Sequence, residues 1–204
     1  MKSQVAGEQT FLSVLAATVD TMEKSGLAHV LIGGIASALL GRPRATRDID
    51  LFVKAEEIEQ AVAALAEAGF ETKEPELDWL HKADKDGVQI DIIFKSSGDI
   101  YLDDEMQQRA LKMDLKGQEL RVLPAEDLLV MKALSHEEET PQYWHDALAI
   151  ISSNELDWDY LLRRARNGAR RILSLLIYAQ STDLIVPDEA IHRLYRDIYD
   201  QPIA

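Results

Sequence analysis

The chain has 204 residues, 47% of them hydrophobic, enough for one sizeable domain or for a domain with a smaller appended one. It contains no cysteine, which excludes disulfide staples and thiolate-bound zinc and makes a reducing, cytoplasmic setting the natural expectation. A formal net charge of −14 argues against broad nonspecific adhesion to nucleic acid, because phosphate binding draws on basic side chains that release counterions.

The opening MKSQVAGEQT lacks the apolar core of a signal peptide, and no uncharged run approaches the roughly eighteen residues of a membrane helix, so a soluble protein is expected. Phe11, Leu12, Leu15, Val19 and Met22 recur at helical spacing, and Gly26 stands where that helix would stop. AHVLIG reads as a short strand, Ile35 to Leu40 as a short helix closed by Gly41 and Pro43, and DIDLFV as a strand. AEEIEQAVAALAEAGF is helical again, with Gly69 at its end. DWLHKADKDGVQIDIIF predicts two strands about a Lys-Asp-Gly turn, and a weaker hairpin centres on Lys116 and Gly117. From Pro124 only helices are predicted: PAEDLLVMKALS, YWHDALAII, DWDYLLRRAR, ARRILSLLIYAQ and a last amphipathic segment opened by Pro187. The expected organisation is a mixed α/β part over residues 1–123 and a helical region over 124–204 packed against it.

The period of two in DIDLFV sends Asp48, Asp50 and Phe52 to one face and the apolar Ile49, Leu51 and Val53 to the other. Two carboxylates on one face repel unless a cation or basic groups sit between them, and hard divalent ions such as Mg²⁺ take oxygen ligands of this kind. Asp91 interrupts the apolar VQIDIIF and needs a partner, which a neighbouring strand carrying the aspartate pair would supply through shared metal. Three such acids suit a two-ion site for in-line displacement. The structural alternatives are a solvated strand end or a Ca²⁺ site for the pair, and an ion pair with Arg44 or Arg47 for Asp91. Gly33 and Gly34 end a strand and open a helix, where backbone N–H groups meet a phosphate unobstructed; taken alone they are equally an ordinary tight turn.

Together, GG(x13)DID followed by QIDIIF resembles the nucleotidyltransferase superfamily of the DNA polymerase β type, and PAEDLLVMKALS brings it near the small bacterial AbiEii-type toxin nucleotidyltransferases. The resemblance covers residues 28–95 well and 120–150 loosely. It implies an α/β (α+β) fold, a small mixed sheet with flanking helices followed by a C-terminal helical region. It also implies transfer of a nucleoside monophosphate from an NTP to an acceptor, with release of pyrophosphate. Carried over by position, Asp48, Asp50 and Asp91 are catalytic and bind Mg²⁺, Asp91 also being the base; Gly33 and Gly34 hold the triphosphate. Arg44, from the Arg42, Arg44 and Arg47 group, meets a phosphate or only balances the acids. Lys132, at the edge of an apolar helix face, reaches either water or a buried anion, and the related toxins place a lysine near the triphosphate in a comparable helix. Asp146 matches a downstream acid of that family loosely, against a capping or surface role. His81 could face the pocket of Asp91, but a lone strand histidine is usually structural; His136 and His145 show no tight ligand geometry.

The acceptor implied is a tRNA 3′ end, a protein hydroxyl or a small molecule, with RNA contact through Arg163 to Arg171 and a cognate toxin–antitoxin partner protein both open, and no membrane partner. The alternative is a noncatalytic member that binds nucleotide or a protein partner. No phosphate loop of the Gly-x-x-x-x-Gly-Lys-Ser type, zinc helix or Gly-x-Ser-x-Gly turn is present.

Overall fold

The periodic apolar segments condense as predicted, and the computed structural model describes residues 7–200; residues 1–6, which open the stretch bearing on a signal peptide, lie outside the described residues. The strands are β1 (His29–Leu31), β2 (Asp48–Val53), β3 (Glu71–Leu77), β4 (Leu80–Lys85), β5 (Val88–Ile93), β6 (Leu111–Leu115) and β7 (Gln118–Val122). The helices are α1 (Glu8–Lys24), α2 (Gly33–Leu40), α3 (Ile58–Glu67), α4 (Asp104–Gln108), α5 (Ala125–Leu134), α6 (Gln142–Ser153), α7 (Trp158–Arg164), α8 (Ala169–Ser181) and α9 (Asp188–Tyr199). None of the described helices is long and apolar enough to cross a membrane.

The chain divides into two compact units. The first, made of residues up to 39, 43–96 and 101–124, holds a seven-stranded mixed sheet in the order β3-β4-β5-β2-β1-β7-β6. β2 lies parallel to β5 and antiparallel to β1, whereas β1 is parallel to β7. Both predicted hairpins form. Asp86 and Gly87 (φ 52° and 78°) join β4 to β5, and Lys116 and Gly117 (φ 53° and 90°) join β6 to β7, the left-handed pairs that match strand twist. Ile49, Leu51, Val53, Ile90, Ile92 and Ala83 are fully buried and form the apolar face, on which α1 and α3 pack through Leu15, Met22, Ala61 and Leu65.

Two elements go beyond the sequence reading. β3 pairs with β4 despite its proline and acidic composition, because it is an edge strand with a register shift between Lys73 and Leu77. α4 is only five residues long, yet Asp103 accepts a hydrogen bond from the Met106 N–H (2.9 Å) and Met106 is buried, a cap and an anchor that substitute for length.

His29 shows how this core responds to pH. It is buried on β1, its Nδ1–H donates to the Leu27 carbonyl (2.9 Å), and burial is the main cause that holds its pKa below the ordinary histidine value. The folded state therefore binds this proton less readily than the unfolded chain, so the stabilisation is complete above about pH 6.5 and is lost as pH falls through the depressed folded value. Urea titrations are expected to show wild type losing more stability than His29→Gln between about pH 7.5 and pH 5; parallel losses would contradict this.

The second unit comprises residues 40–42, 97–100 and 125 onward. α5 is buried on every side from Ala125 to Ala133, with α6, α7 and α8 packed around it, and its charged residues are met inside. Glu126 accepts the Asp157 N–H (2.7 Å) at the start of α7. Asp127 accepts the Tyr160 hydroxyl (2.5 Å) and Arg164 Nε (2.6 Å). The acids at the head of this helix are thus interior partners of α7 as well as complements to the helix dipole.

Candidate active site

In the first unit, register does what spacing alone could not. β2 and β5 run parallel with Asp50 directly beside Asp91 and Asp48 beside Gln89, so all four side chains project from one face, opposite the buried isoleucines. Asp48 is exposed, and Asp50 and Asp91 are half-buried. Gln89 Nε2 donates to Asp91 Oδ1 (2.7 Å). The Asp91 carboxyl is held above its ordinary pKa, first by burial, then by the adjacent Asp50 charge; the Gln89 hydrogen bond and Lys82 oppose the rise, and Asp48 adds weakly to it.

The diglycine is built against this pair. Gly33 has φ +61° and is the first residue of α2, two residues before the apolar run from Ile35, and glycine enters this left-handed region without the strain that a side chain would add. The Gly34 N–H donates to Asp50 Oδ2 (3.2 Å), and Ser37 Oγ donates to the Gly33 carbonyl (2.7 Å). A Cβ on Gly33 would lie 1.9 Å from Asp50 Oδ2, and one on Gly34 would lie 2.5 Å from Thr46 Oγ1. Both positions are closed to any side chain. Gly33→Ala is therefore expected to displace the Asp50 carboxylate and to lower turnover by about 10²-fold, the scale of an ångström-sized misplacement at a reacting centre; wild-type turnover from a folded variant would show that Asp50 need not stay where it is.

Among the described residues no three His, Asp or Glu side chains are gathered closely enough to hold an ion as they stand. The donor chemistry nevertheless suits a hard divalent cation: only carboxylate oxygens, with Asp50 and Asp91 side by side and of like charge.

The remaining candidates separate. Arg44 lies half-buried in the loop between α2 and β2. Lys132 and Asp146 belong to the second unit, where Lys132 is buried with its ammonium 3.3 Å from Asp146 and over the Tyr143 ring (4.7 Å). Lys132 thus reaches a buried anion. Asp146 is fully buried and also accepts from Arg42 Nη1 (2.9 Å), which rules out a surface role for it. His81 stands opposite Ile92 and faces away from Asp91, its ring tilted against Phe94 at 6.3 Å, so it does not share the acids' face.

In the run Arg163 to Arg171, Arg163, Arg166, Arg170 and Arg171 are exposed and Arg164 is half-buried. The run is divided among the end of α7, a 3-10 turn and the start of α8. Arg164 is drawn inside by Asp127, Arg171 donates to the His136 carbonyl, and Arg170 lies over Tyr199. Sequence reasoning had not selected Thr46, which closes the space beside Gly34, or Lys82, which pairs in register with Asp91. Only Gln89, two residues before Asp91 on the same strand, was recognisable from the alternation.

A mixed sheet that presents paired strand acids beside a diglycine helix start, with flanking and C-terminal helices, is the nucleotidyltransferase fold. The chain belongs to the family described as "uncharacterised nucleotidyltransferase", whose model matches residues 7–181, and is a nucleotidyltransferase. Among solved structures it is similar to ANT(2'')-Ia in complex with adenylyl-2''-tobramycin (18% identity, TM-score 0.55, covering 79% of this chain and 98% of that one). It is also similar to an antigenic nucleotidyltransferase-like protein from Paracoccidioides brasiliensis (17%, 0.52, 91% and 98%) and to the lincosamide antibiotic adenylyltransferase LnuA with lincomycin bound (18%, 0.50, 74% and 100%). At these identities the likeness is one of fold. No curated protein matches the chain.

Proposed function

We propose that the protein transfers a nucleoside monophosphate from an NTP to an acceptor hydroxyl with the help of Mg²⁺, and that residues 1–123 carry the catalysis. The observation that carries this reading is the side-by-side register of Asp50 and Asp91, with Asp50 also accepting the N–H of the diglycine turn. Asp48, Asp50 and Asp91 would hold the cation. Bound there, it would supply charge neutralisation on the phosphate oxygens and so favour displacement at the α-phosphorus.

The chain's own residues do the rest. Gly33 and Gly34 let the triphosphate approach the backbone at the head of α2, where the helix dipole favours negative charge. Asp91 takes the proton of the acceptor hydroxyl as its oxygen attacks, and pyrophosphate leaves. Arg44, which precedes the aspartates and offers bidentate geometry, is assigned to a phosphate, with charge balance for the acids as its alternative; a nucleotide-binding role for Lys132 rests on the resemblance. The resemblance also supports a cytoplasmic role as a toxin–antitoxin component with a cognate partner protein.

The acceptor classes remain a tRNA 3′ end, a protein hydroxyl or a small molecule. Four of the five arginines between Arg163 and Arg171 stay exposed, which keeps RNA contact open, and the small-molecule antibiotics named for two structures of similar fold suit the last class. The test is incubation with each α-³²P-labelled NTP, MgCl₂ and cell extract. Wild type is expected to label one class of product, and Asp48→Ala and Asp50→Ala none. Blank lanes for all three proteins would refute the proposal.

A further inference from the structure

The rows of side chains that cross the sheet do not stop at the acids. On the face that bears Asp50 and Asp91, the register continues from Asp91 to Lys82 on β4 and from Lys82 to Lys73 on β3. One straight row thus reads Asp50, Asp91, Lys82, Lys73. The preceding row reads Asp48, Gln89, Asp84, Glu71, and the following one Phe52, Ile93, Leu80, Leu77. Lys82 is half-buried, Lys73 is exposed, and Leu77 is 46% exposed at the end of the apolar row.

This order gives the site two sides. The diglycine turn follows β1 and touches Asp50, so the triphosphate side lies toward β1. Asp91, assigned to the acceptor hydroxyl, is farther across, and the next side chain beyond it is Lys82. Adjacent strands lie about 4.8 Å apart, so an acceptor whose hydroxyl meets Asp91 spreads its next few atoms over Lys82 and then Lys73. In a protein of net charge −14, two ammonium groups in line behind the third acid are placed against the overall field. They are too few to hold a polynucleotide, whose affinity needs many phosphate contacts, and sufficient for one carboxylate or phosphate group. Asp84 at the hairpin turn accepts the Gly87 N–H (3.3 Å), which ties one acid of the neighbouring row to the turn.

We infer that the β3–β4 hairpin is the acceptor subsite, and that Lys82, seconded by Lys73, selects a small acceptor carrying a carboxylate or phosphate close to its nucleophilic hydroxyl. The inference rests on the transferase reading and goes beyond it by naming the acceptor's charge. Lys82 is a specificity-determining residue in it, with no part in holding the NTP.

Two measurements test it. In the first, a low-mass cell extract is split by anion exchange, and each fraction is offered to the enzyme with labelled NTP and MgCl₂. The acceptor is expected in the retained fraction and is expected to survive nuclease and protease. Lys82→Gln should raise its half-saturating concentration about ten-fold or more and Lys82→Glu further, Lys82→Arg should restore most of the affinity, and half-saturation by NTP should not change. An acceptor in the unretained fraction, one destroyed by nuclease or protease, or an unchanged half-saturation in Lys82→Gln would overturn the inference.

In the second, glycerol 3-phosphate and glycerol are titrated into the protein and followed by NMR at the amides of Lys73 and Lys82. Shifts with the phosphate ester that glycerol does not produce, and that Lys82→Gln abolishes, support the subsite. Identical responses to the two compounds overturn it, whatever the labelling shows. If wild type labels nothing yet binds the phosphate ester at Lys82, the transferase reading is at fault and the anion site stands.

Discussion

Asp50→Asn is expected to abolish nucleotidyl transfer, by about 10³-fold or more, while leaving the fold intact. Groups that stabilise charge developing at a reacting phosphate or carbonyl are worth two to three powers of ten on removal, and a carboxylate that holds the metal acts on the whole displacement. The asparagine is nearly isosteric and keeps an amide oxygen where Asp50 Oδ2 accepts the Gly34 N–H, so the diglycine turn has no reason to move. The substitution removes charge alone. Single-turnover transfer, with circular dichroism and urea titration as controls, checks it; a folded Asp50→Asn protein within ten-fold of wild type would mean that the charge of Asp50 is not used in catalysis. The neutral Asp91→Asn should fall as far, since Asp91 stands next to Asp50 in register.

The second large effect concerns stability. Asp127 is buried, and its two oxygens are divided between the Tyr160 hydroxyl and Arg164 Nε, the Arg164 side chain being 11% exposed. Asp127→Ala removes the carboxylate that meets a nearly buried guanidinium, which cannot neutralise. Breaking a buried ion pair from one side costs about 3–5 kcal/mol, against a total stability of about 5–15 kcal/mol for an ordinary domain. Urea titration should show the free energy of unfolding falling by that amount. Tyr160→Phe, which deletes one hydrogen bond and strands no charge, should cost only about 1 kcal/mol. Equal and small losses for the two variants would show that Arg164 finds water readily.

Much of the site was legible because a strand's alternation is a local property. DIDLFV and VQIDIIF announce which residues share a face, and the buried Ile49, Leu51, Ile90 and Ile92 follow from the same pattern. Which strand lies beside which is not local. The parallel pairing that sets Asp50 against Asp91 is fixed by the crossover and by packing on α1 and α3, whereas Lys82 meets Asp91 through the local β4–β5 hairpin, whose turn sets the register. For His81 the structural reading holds, because a strand side chain one residue away from Lys82 belongs to the other face. β3 escaped notice because an edge strand needs no apolar alternation, and α4 because five residues are too few for helical periodicity to show. The buried pairings of Lys132 with Asp146 and of Asp127 with Arg164 join different helices, so the sequence alone does not show which residues are partners.

The most direct test of the central claim, that acids from two parallel strands act as one cation site, is a Mn²⁺ titration followed by electron paramagnetic resonance in the presence of a nonhydrolysable NTP analogue. Wild type is expected to bind the ion tightly, and Asp50→Asn and Asp91→Asn to lose that binding alike. Wild-type affinity in a folded Asp91→Asn protein would contradict the account.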